Sequence, residues 1–266
     1  MPTLGHGCSP APAGGVHALL RPDAFRHVFQ PLAGLRAGYV RPEGNVGDRL
    51  IELAMTQLLA TFGIDWRVVD PWQPCPAAID VLLFGGGGNM GTVYADSHAI
   101  RTRALALGPP LVILPQSFTD REDRAFHRVY IREQASLALR EDGILAPDLA
   151  LGLAWPRPGP PTRRLGVFLR RDAERTSRRR PWWFQDPVKR CREPADYLAL
   201  AARYERLVTD RLHFAIAGLH AGRDVTLLAN GYHKNRSMHE TWLAALGCRF
   251  AASPGAALGR RTGVWW

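Results

Sequence analysis

The feature that most constrains this chain is an alternation of short apolar runs with amphipathic stretches, sustained from about residue 36 onward. Leu35 to Val40, Trp66 to Val69, Val81 to Phe84, Leu111 to Leu114 and Ser136 to Leu139 have the length and composition of strands. Between the first two, Leu50, Ile51, Ala54, Leu58 and Leu59 recur at helical spacing up to Gly63, a C-terminal stop. Thr92 to Leu107 and Arg121 to Gln134 are expected to be further helices. Short buried strands separated by helices imply a parallel sheet covered on both faces, so the expected fold class is α/β.

Pro156-Arg-Pro-Gly-Pro-Pro161 breaks every regular element and reads as a linker. Beyond it the pattern resumes: strands at Leu165 to Leu169, Leu207 to Thr209 and Val225 to Leu228, and helices at Ala195 to Glu205, Arg211 to Ala221 and Ser237 to Leu246. The expected organisation is a loosely ordered lead-in over residues 1–30, an N-terminal Rossmann-like domain over 31–156 and a shorter, basic one over 157–266. Two such units joined by a linker face each other across a cleft, with ligands held at the carboxyl ends of the strands.

Charge is divided unevenly between the halves. Residues 1–150 carry 13 basic and 15 acidic side chains, residues 151–266 carry 21 and 9, and residues 157–192 alone hold 12 basic against 3 acidic. The clustering points to an anionic partner, be it nucleic acid, a membrane surface or a phosphorylated substrate. A chain with 46% hydrophobic residues is not dominated by disorder, and no apolar stretch approaches the ~20 residues of a membrane span. The four cysteines stand far apart without a CxxC pair, and no signal core is evident, so a cytoplasmic setting is expected.

Several loops carry chemistry. Phe84-Gly-Gly-Gly-Gly-Asn-Met-Gly91 follows a strand and precedes a helix, and its glycines let backbone approach an anion at a helix N-terminus. The next strand ends in Pro115-Gln116 with no acidic ribose ligand, and no Lys-Ser or Lys-Thr follows, which argues against nicotinamide and P-loop nucleotide sites. In Gly44-Asn-Val-Gly-Asp48, Asp48 either caps the following helix or points into the cleft as a carboxylate. In Asp210-Arg-Leu-His213, Asp210 is placed as an N-cap, with Arg211 and His213 in the first helical turn, suited to holding a phosphate or carboxylate while a proton moves. Lys234 is one of only two lysines in a chain that otherwise uses arginine. No metal-binding spacing and no serine-nucleophile elbow is present.

Taken in order, Gly44–Asp48, Val81–Gly91, Leu114-Pro-Gln-Ser-Phe118, Leu137-Ala-Leu-Arg-Glu141, Leu169-Arg-Arg-Asp-Ala-Glu174, Thr209-Asp-Arg-Leu-His213 and Asn230-Gly-Tyr-His-Lys-Asn235 resemble the polysaccharide pyruvyltransferase family over roughly residues 38–247. The resemblance implies two Rossmann-like units facing a cleft, similar to GT-B glycosyltransferases, the second unit abbreviated. It implies transfer of the pyruvyl group of phosphoenolpyruvate onto two hydroxyls of a sugar, forming a ketal and releasing phosphate, with no further cofactor and no metal. Arg211, Leu212 and His213 would hold the donor, with His213 moving the proton and Asp48 acting across the cleft as base or orienting group. Arg140, Arg170 and Lys234 would grip the donor's anions. Asn45, Gly86, Gly87, Gly88, Asn89, Tyr94 and His98 would border the substrate pocket. Two departures bear on the acceptor: the second half is short, and Gly-Tyr-His-Lys stands where the family more often has Ser-Tyr-Gly-Lys.

Arg178, Arg179 and Arg180 with Trp182 and Trp183 combine cations and indoles, as membrane-interface segments do. That segment either docks peripherally on an anionic membrane face, where the acceptor would be a lipid-diphosphate-linked glycan, or packs in the fold. A nucleotide-sugar glycosyltransferase of the same fold and a non-enzymatic nucleic-acid binder are the competing readings. The second gives no reason for a glycine-lined cleft, so no nucleic-acid partner is expected.

Overall fold

The computed structural model describes residues 15–172, 174–175 and 184–259, the side chain of Asn89 excepted. Residues 15–30 depart from the expected loose lead-in. They form β1 (Val16–His17), a 3-10 turn over Pro22–Phe25 and α1 (Arg26–Phe29). Phe25, Val28 and Phe29, at helical spacing, are buried, which makes this segment part of the core. Residues 1–14 and the Arg178–Arg180, Trp182 and Trp183 cluster lie outside the described residues.

A seven-stranded sheet follows, with every neighbouring pair parallel. Its elements are β2 (Arg36–Val40), α2 (Val46–Thr61), β3 (Asp65–Val68), β4 (Val81–Phe84), β5 (Gly87–Met90), α3 (Ala95–Ala106), β6 (Leu111–Phe118), β7 (Arg128–Ile131), α4 (Gln134–Leu137) and β8 (Gly143–Leu145). The strand order is β3-β2-β4-β6-β7-β8, and β5 pairs with the far end of β6. After β9 (Trp155–Pro156), which pairs antiparallel with β1, a second parallel sheet forms in the order β10 (Arg163–Phe168), β11 (Tyr204–Thr209), β12 (Asp224–Leu228) and β13 (Arg249–Ala251). Its helices are α5 (Pro194–Ala202), α6 (Leu212–His220), α7 (Lys234–Met238), continued by a π-helical turn over His239–Leu243, and α8 (Pro254–Ala257). These are Rossmann-like α/β sheets, as expected.

Two expected elements are exchanged. Arg121 to Gln134 is not a helix: Arg128–Ile131 is strand β7, and Ser136 to Leu139, expected as a strand, belongs to the short helix α4 and the turn after it. The cause is a sheet buried on both faces. Tyr130 packs into the core on one side while Val129 and Ile131 pack into the core on the other, so the strand shows no polar face to mark its period. Ser136 is drawn into a turn by its hydroxyl, which accepts from the Phe118 backbone N–H at 2.9 Å.

α2 is built as its sequence directs. Asn45 caps it, accepting from the Gly47 backbone N–H at 2.8 Å, and Asp48 closes the capping box on the Asn45 N–H at 2.8 Å. The helix ends where Gly63 enters the left-handed region (φ +64°). Leu50, Ile51, Ala54, Met55, Leu58 and Leu59 form its buried face, each large aliphatic contributing roughly 1.5–3 kcal/mol by burial. The apolar cluster they join also contains Leu198 and Ala201 of α5 and Leu212, Phe214 and Ala215 of α6, so a single continuous core touches both sheets.

Candidate active site

In the first sheet the order reverses between β2 and β4: β2 leads to β3 on one side and β4 lies on the other. A parallel sheet opens a crevice beyond its carboxyl edge at such a point. The turns that emerge there are Gly44–Asn45 after β2 and Gly85–Gly88 after β4. The glycine run does not open onto a helix N-terminus as expected, because β5 intervenes and α3 begins only at Ala95. Its glycines serve close approach instead. Gly85, Gly86 and Gly87 hold positive φ (+85°, +103° and +119°), and a Cβ on Gly88 would stand 3.2 Å from both Arg132 Nη2 and the Tyr232 hydroxyl.

Facing these turns, a cavity of about 470 Å³ is lined by Gly44, Asn45, Asp48, Gly88 and Tyr94 from the first sheet's loops, and by Arg132, Arg170, Asp172, Glu174, Arg211, Leu212, His213 and Lys234. Four cationic side chains thus meet at the strand ends, each with a carboxylate partner. Arg132, one residue past β7, is fully buried and donates from Nη1 to Asp148 Oδ2 (2.7 Å) and from Nε to Ser117 Oγ (2.8 Å). His213 Nε2 lies 3.3 Å from the same Asp148 oxygen. Burial alone would push the Asp148 carboxyl up, but His213, Arg132 and the Ala150 backbone N–H hold it well below the usual carboxylate range. Asp148 is therefore an ionised anchor for the imidazole.

The second cluster comes from the loops after β10, β11 and β12. Arg170 donates from Nε to Asp172 Oδ1 (2.7 Å) and from Nη1 to Glu174. Arg211 donates to Asp186 from Nε (3.0 Å) and Nη2 (2.6 Å), and its Nη1 lies 2.8 Å from Asp172 Oδ2. Lys234 Nζ lies 2.6 Å from Glu174 Oε2, where Asn230 and the Tyr94 hydroxyl also donate to the Glu174 carboxylate. Against the effect of burial, Lys234 and Arg170 hold the Glu174 carboxyl well below its ordinary value. The expected capping role of Asp210 is not what the structure shows. Arg211 is the N-cap residue of α6, and Asp210 accepts the Arg170 backbone N–H at 2.7 Å, tying the β10 and β11 loops together.

This ordered set of loops coincides with a family model, Polysaccharide pyruvyl transferase, which matches residues 45–232. The chain belongs to the polysaccharide pyruvyl transferase family. It is accordingly a transferase. Among solved structures, that of a functionally uncharacterized protein from Klebsiella pneumoniae superposes with a TM-score of 0.67 at 20% identity, covering 86% of this chain and 97% of that one, a likeness of fold. No curated protein sequence matches the chain.

Within this pyruvyl transferase family member the expected site residues separate into three groups. Arg170, Arg211, Leu212, His213, Lys234, Gly88, Tyr94, Asn45 and Asp48 line one cavity, although Asp48 spends its carboxylate on the helix cap. Gly86 lines an adjoining cavity of about 750 Å³ that shares Glu43, Gly44, Asn45 and Asp48 with the first and also includes Trp155. Arg140, His98 and Gly87 fall outside both cavities. Arg140 is buried against the Phe126 ring, donating to the Glu122 and Arg124 carbonyls and pairing with Asp142, so its guanidinium braces a loop. His98 lies on α3, with Nδ1 3.4 Å from Arg124 Nη2. Asn89 carries no described side chain.

Sequence reasoning missed Arg132, Asp148 and Asp186. Arg132 directly follows β7, Asp186 directly follows a one-pair bridge and Asp148 lies three residues past β8, so position on the carboxyl side of a sheet was the one signal available. Among the described residues no group of three or more His, Cys, Asp or Glu could hold a metal ion, and no helix is long and apolar enough to cross a membrane.

Proposed function

We propose that this transferase moves the pyruvyl group of phosphoenolpyruvate onto two hydroxyls of a glycan, forming a cyclic ketal and releasing phosphate, with no other cofactor. The observation that carries the reading is the placement of two buried arginines, Arg170 and Arg211, in the same cavity as a histidine anchored by an ionised aspartate. Such an array holds a small polyanion beside a proton carrier.

In this mechanism Arg170, Arg211 and Lys234 hold the donor's phosphate and carboxylate. Asp148 fixes Nε2 of His213, which leaves Nδ1, beside Gly47, as the nitrogen that exchanges the proton. Protonated His213 gives its proton to the donor methylene, and the first sugar hydroxyl adds to the resulting cationic carbon, returning a proton to the imidazole. His213 then protonates the departing phosphate as the C–O bond to it breaks. The second hydroxyl closes the ketal and restores the imidazolium. Two hydroxyl protons are consumed, one in the new methyl group and one on the phosphate, so the cycle balances.

The two sheets, read as two Rossmann-like units across a GT-B-like cleft, would divide the substrates. The donor takes the cavity with the four cations, and the glycan enters by the adjoining cavity at Gly86 and Trp155, past the Asn45–Asp48 turn. A lipid-diphosphate-linked acceptor and peripheral contact with the cytoplasmic membrane face belong to the same reading. Phosphate release from phosphoenolpyruvate that depends on added glycan acceptor is the expected result. His213→Ala, folded by circular dichroism, is expected to lose it by at least a hundredfold, the scale of general acid–base catalysis. Acceptor-independent release, or full activity in His213→Ala, contradicts the assignment.

A further inference from the structure

The carboxylate of Asp172 occupies the space between Arg170 and Arg211. Its Oδ1 accepts from Arg170 Nε at 2.7 Å, and its Oδ2 lies 3.2 Å from Arg170 Nη2 and 2.8 Å from Arg211 Nη1. It is also the accessible member of the group: its side chain is 42% exposed, against 6% for Arg170 and 9% for Arg211. Each arginine has a second, more buried partner, Asp186 for Arg211 and Glu174 for Arg170. Arg211 therefore keeps a two-point carboxylate partner without Asp172, and Arg170 keeps Glu174, which it shares with Lys234. What Asp172 covers is the set of N–H donors that the other two carboxylates leave over.

We propose that Asp172 is a tethered stand-in for the donor's phosphate, displaced when phosphoryl oxygens take its place on Arg170 and Arg211. The inference rests on the reading that the donor's anions lie on these two arginines. A free anion must compete with a carboxylate held next to the site at an effective concentration in roughly the millimolar range. A plain carboxylate brings the same charge and the same two oxygens as Asp172 and gains nothing by the exchange. A phosphate brings close to two charges and three strong acceptors, and wins. Asp172 thereby sets an affinity threshold for the guanidinium pair, one that a phosphate passes and a plain carboxylic acid does not. It also keeps the guanidinium pair closed as phosphate departs.

Inorganic phosphate binding, measured by titration calorimetry on the intact chain, tests this without turnover. In Asp172→Asn and Asp172→Ser, both verified as folded by circular dichroism, phosphate is expected to bind about tenfold more tightly than in the wild type, the scale of one charge-assisted contact. Acetate alone is expected to bind the variants about tenfold more tightly than the wild type. Phosphate affinity that is unchanged or weakened in the folded variants overturns the proposal, as does acetate that binds the wild type as tightly as it binds the variants. Tighter phosphate binding in variants of a chain that transfers no pyruvyl group would sink the functional reading alone. Pyruvyl transfer with phosphate affinity indifferent to Asp172 would sink this inference alone.

Discussion

Lys234 carries its ammonium into a buried site, 2.6 Å from Glu174 and 5.0 Å from the centre of the Tyr232 ring. Burial pushes its pKa down to about 8 despite the pull of Glu174, with Arg170 and Arg132 pushing the same way. The cation is present below that pH and lost above it. For phosphoenolpyruvate, kcat/KM is expected to fall along an alkaline limb centred near pH 8, and Lys234→Arg is expected to lack that limb because a guanidinium stays charged. A wild-type profile flat to high pH contradicts the assignment. Lys234 was legible in the sequence as a rare lysine in an arginine-rich chain. Arg132 and Asp148 were not, since nothing local marks one charged residue after a strand as the partner of a histidine 81 and 65 positions away.

The start of α2 is where an element serves the site. A Cβ on Gly47 would fall 2.9 Å from His213 Nδ1 and 3.1 Å from His213 Cβ, so the glycine makes room for the imidazole in the first helical turn. Gly47→Ala is expected to lower thermal stability, because the crowding against His213 and the Asn45 cap outweighs the up to about 1 kcal/mol by which alanine favours helix. The same change is expected to lower phosphate release about tenfold or more by displacing His213. Parallel melting curves and kinetics check this, and equal activity would show that the imidazole does not need the space. Gly-Asn-x-Gly-Asp was legible as a capping motif because capping is local chemistry. That its second glycine faces a histidine on α6 was not, because that contact is made only when the sheets pack. The exchange of helix and strand over residues 121–139 has a related cause. In a sheet covered on both faces the period-2 signal disappears, while Arg128 and Arg132 at the ends of β7 mimic a helical polar face.

At the scale of the molecule, His220 ties α6 to the first sheet's side of the fold. It is buried, with Nε2 2.9 Å from the Ala150 carbonyl and Nδ1 without a hydrogen-bond partner among the described residues. Protonation would place a buried N–H donor and a charge where no described residue accepts them, and burial lowers the pKa to about 4. The unfolded chain, with its histidine near 6.5, then binds more protons than the folded one between these values. Stability is full above about pH 6.5 and declines as the pH falls toward about 4, by up to roughly 3 kcal/mol. Melting temperatures measured from pH 7 to 4.5 are expected to drop less in His220→Gln than in the wild type. Identical slopes would remove His220 from the account.

The parallel α/β class, the cap of α2 and the loops that carry Arg170, Arg211, His213 and Lys234 were determined by the sequence itself. They depend on periodicity, turn chemistry and strand-end position, all of which act over a few residues. Tertiary structure alone decided how these groups are paired. It made Arg140 a brace, set Asp148 behind His213 and Asp172 across two arginines, and let one apolar core reach from α2 to α6. The reason is physical: a buried charge must find its counter-charge wherever folding brings one within hydrogen-bonding distance, and that distance is not written in the order of the chain.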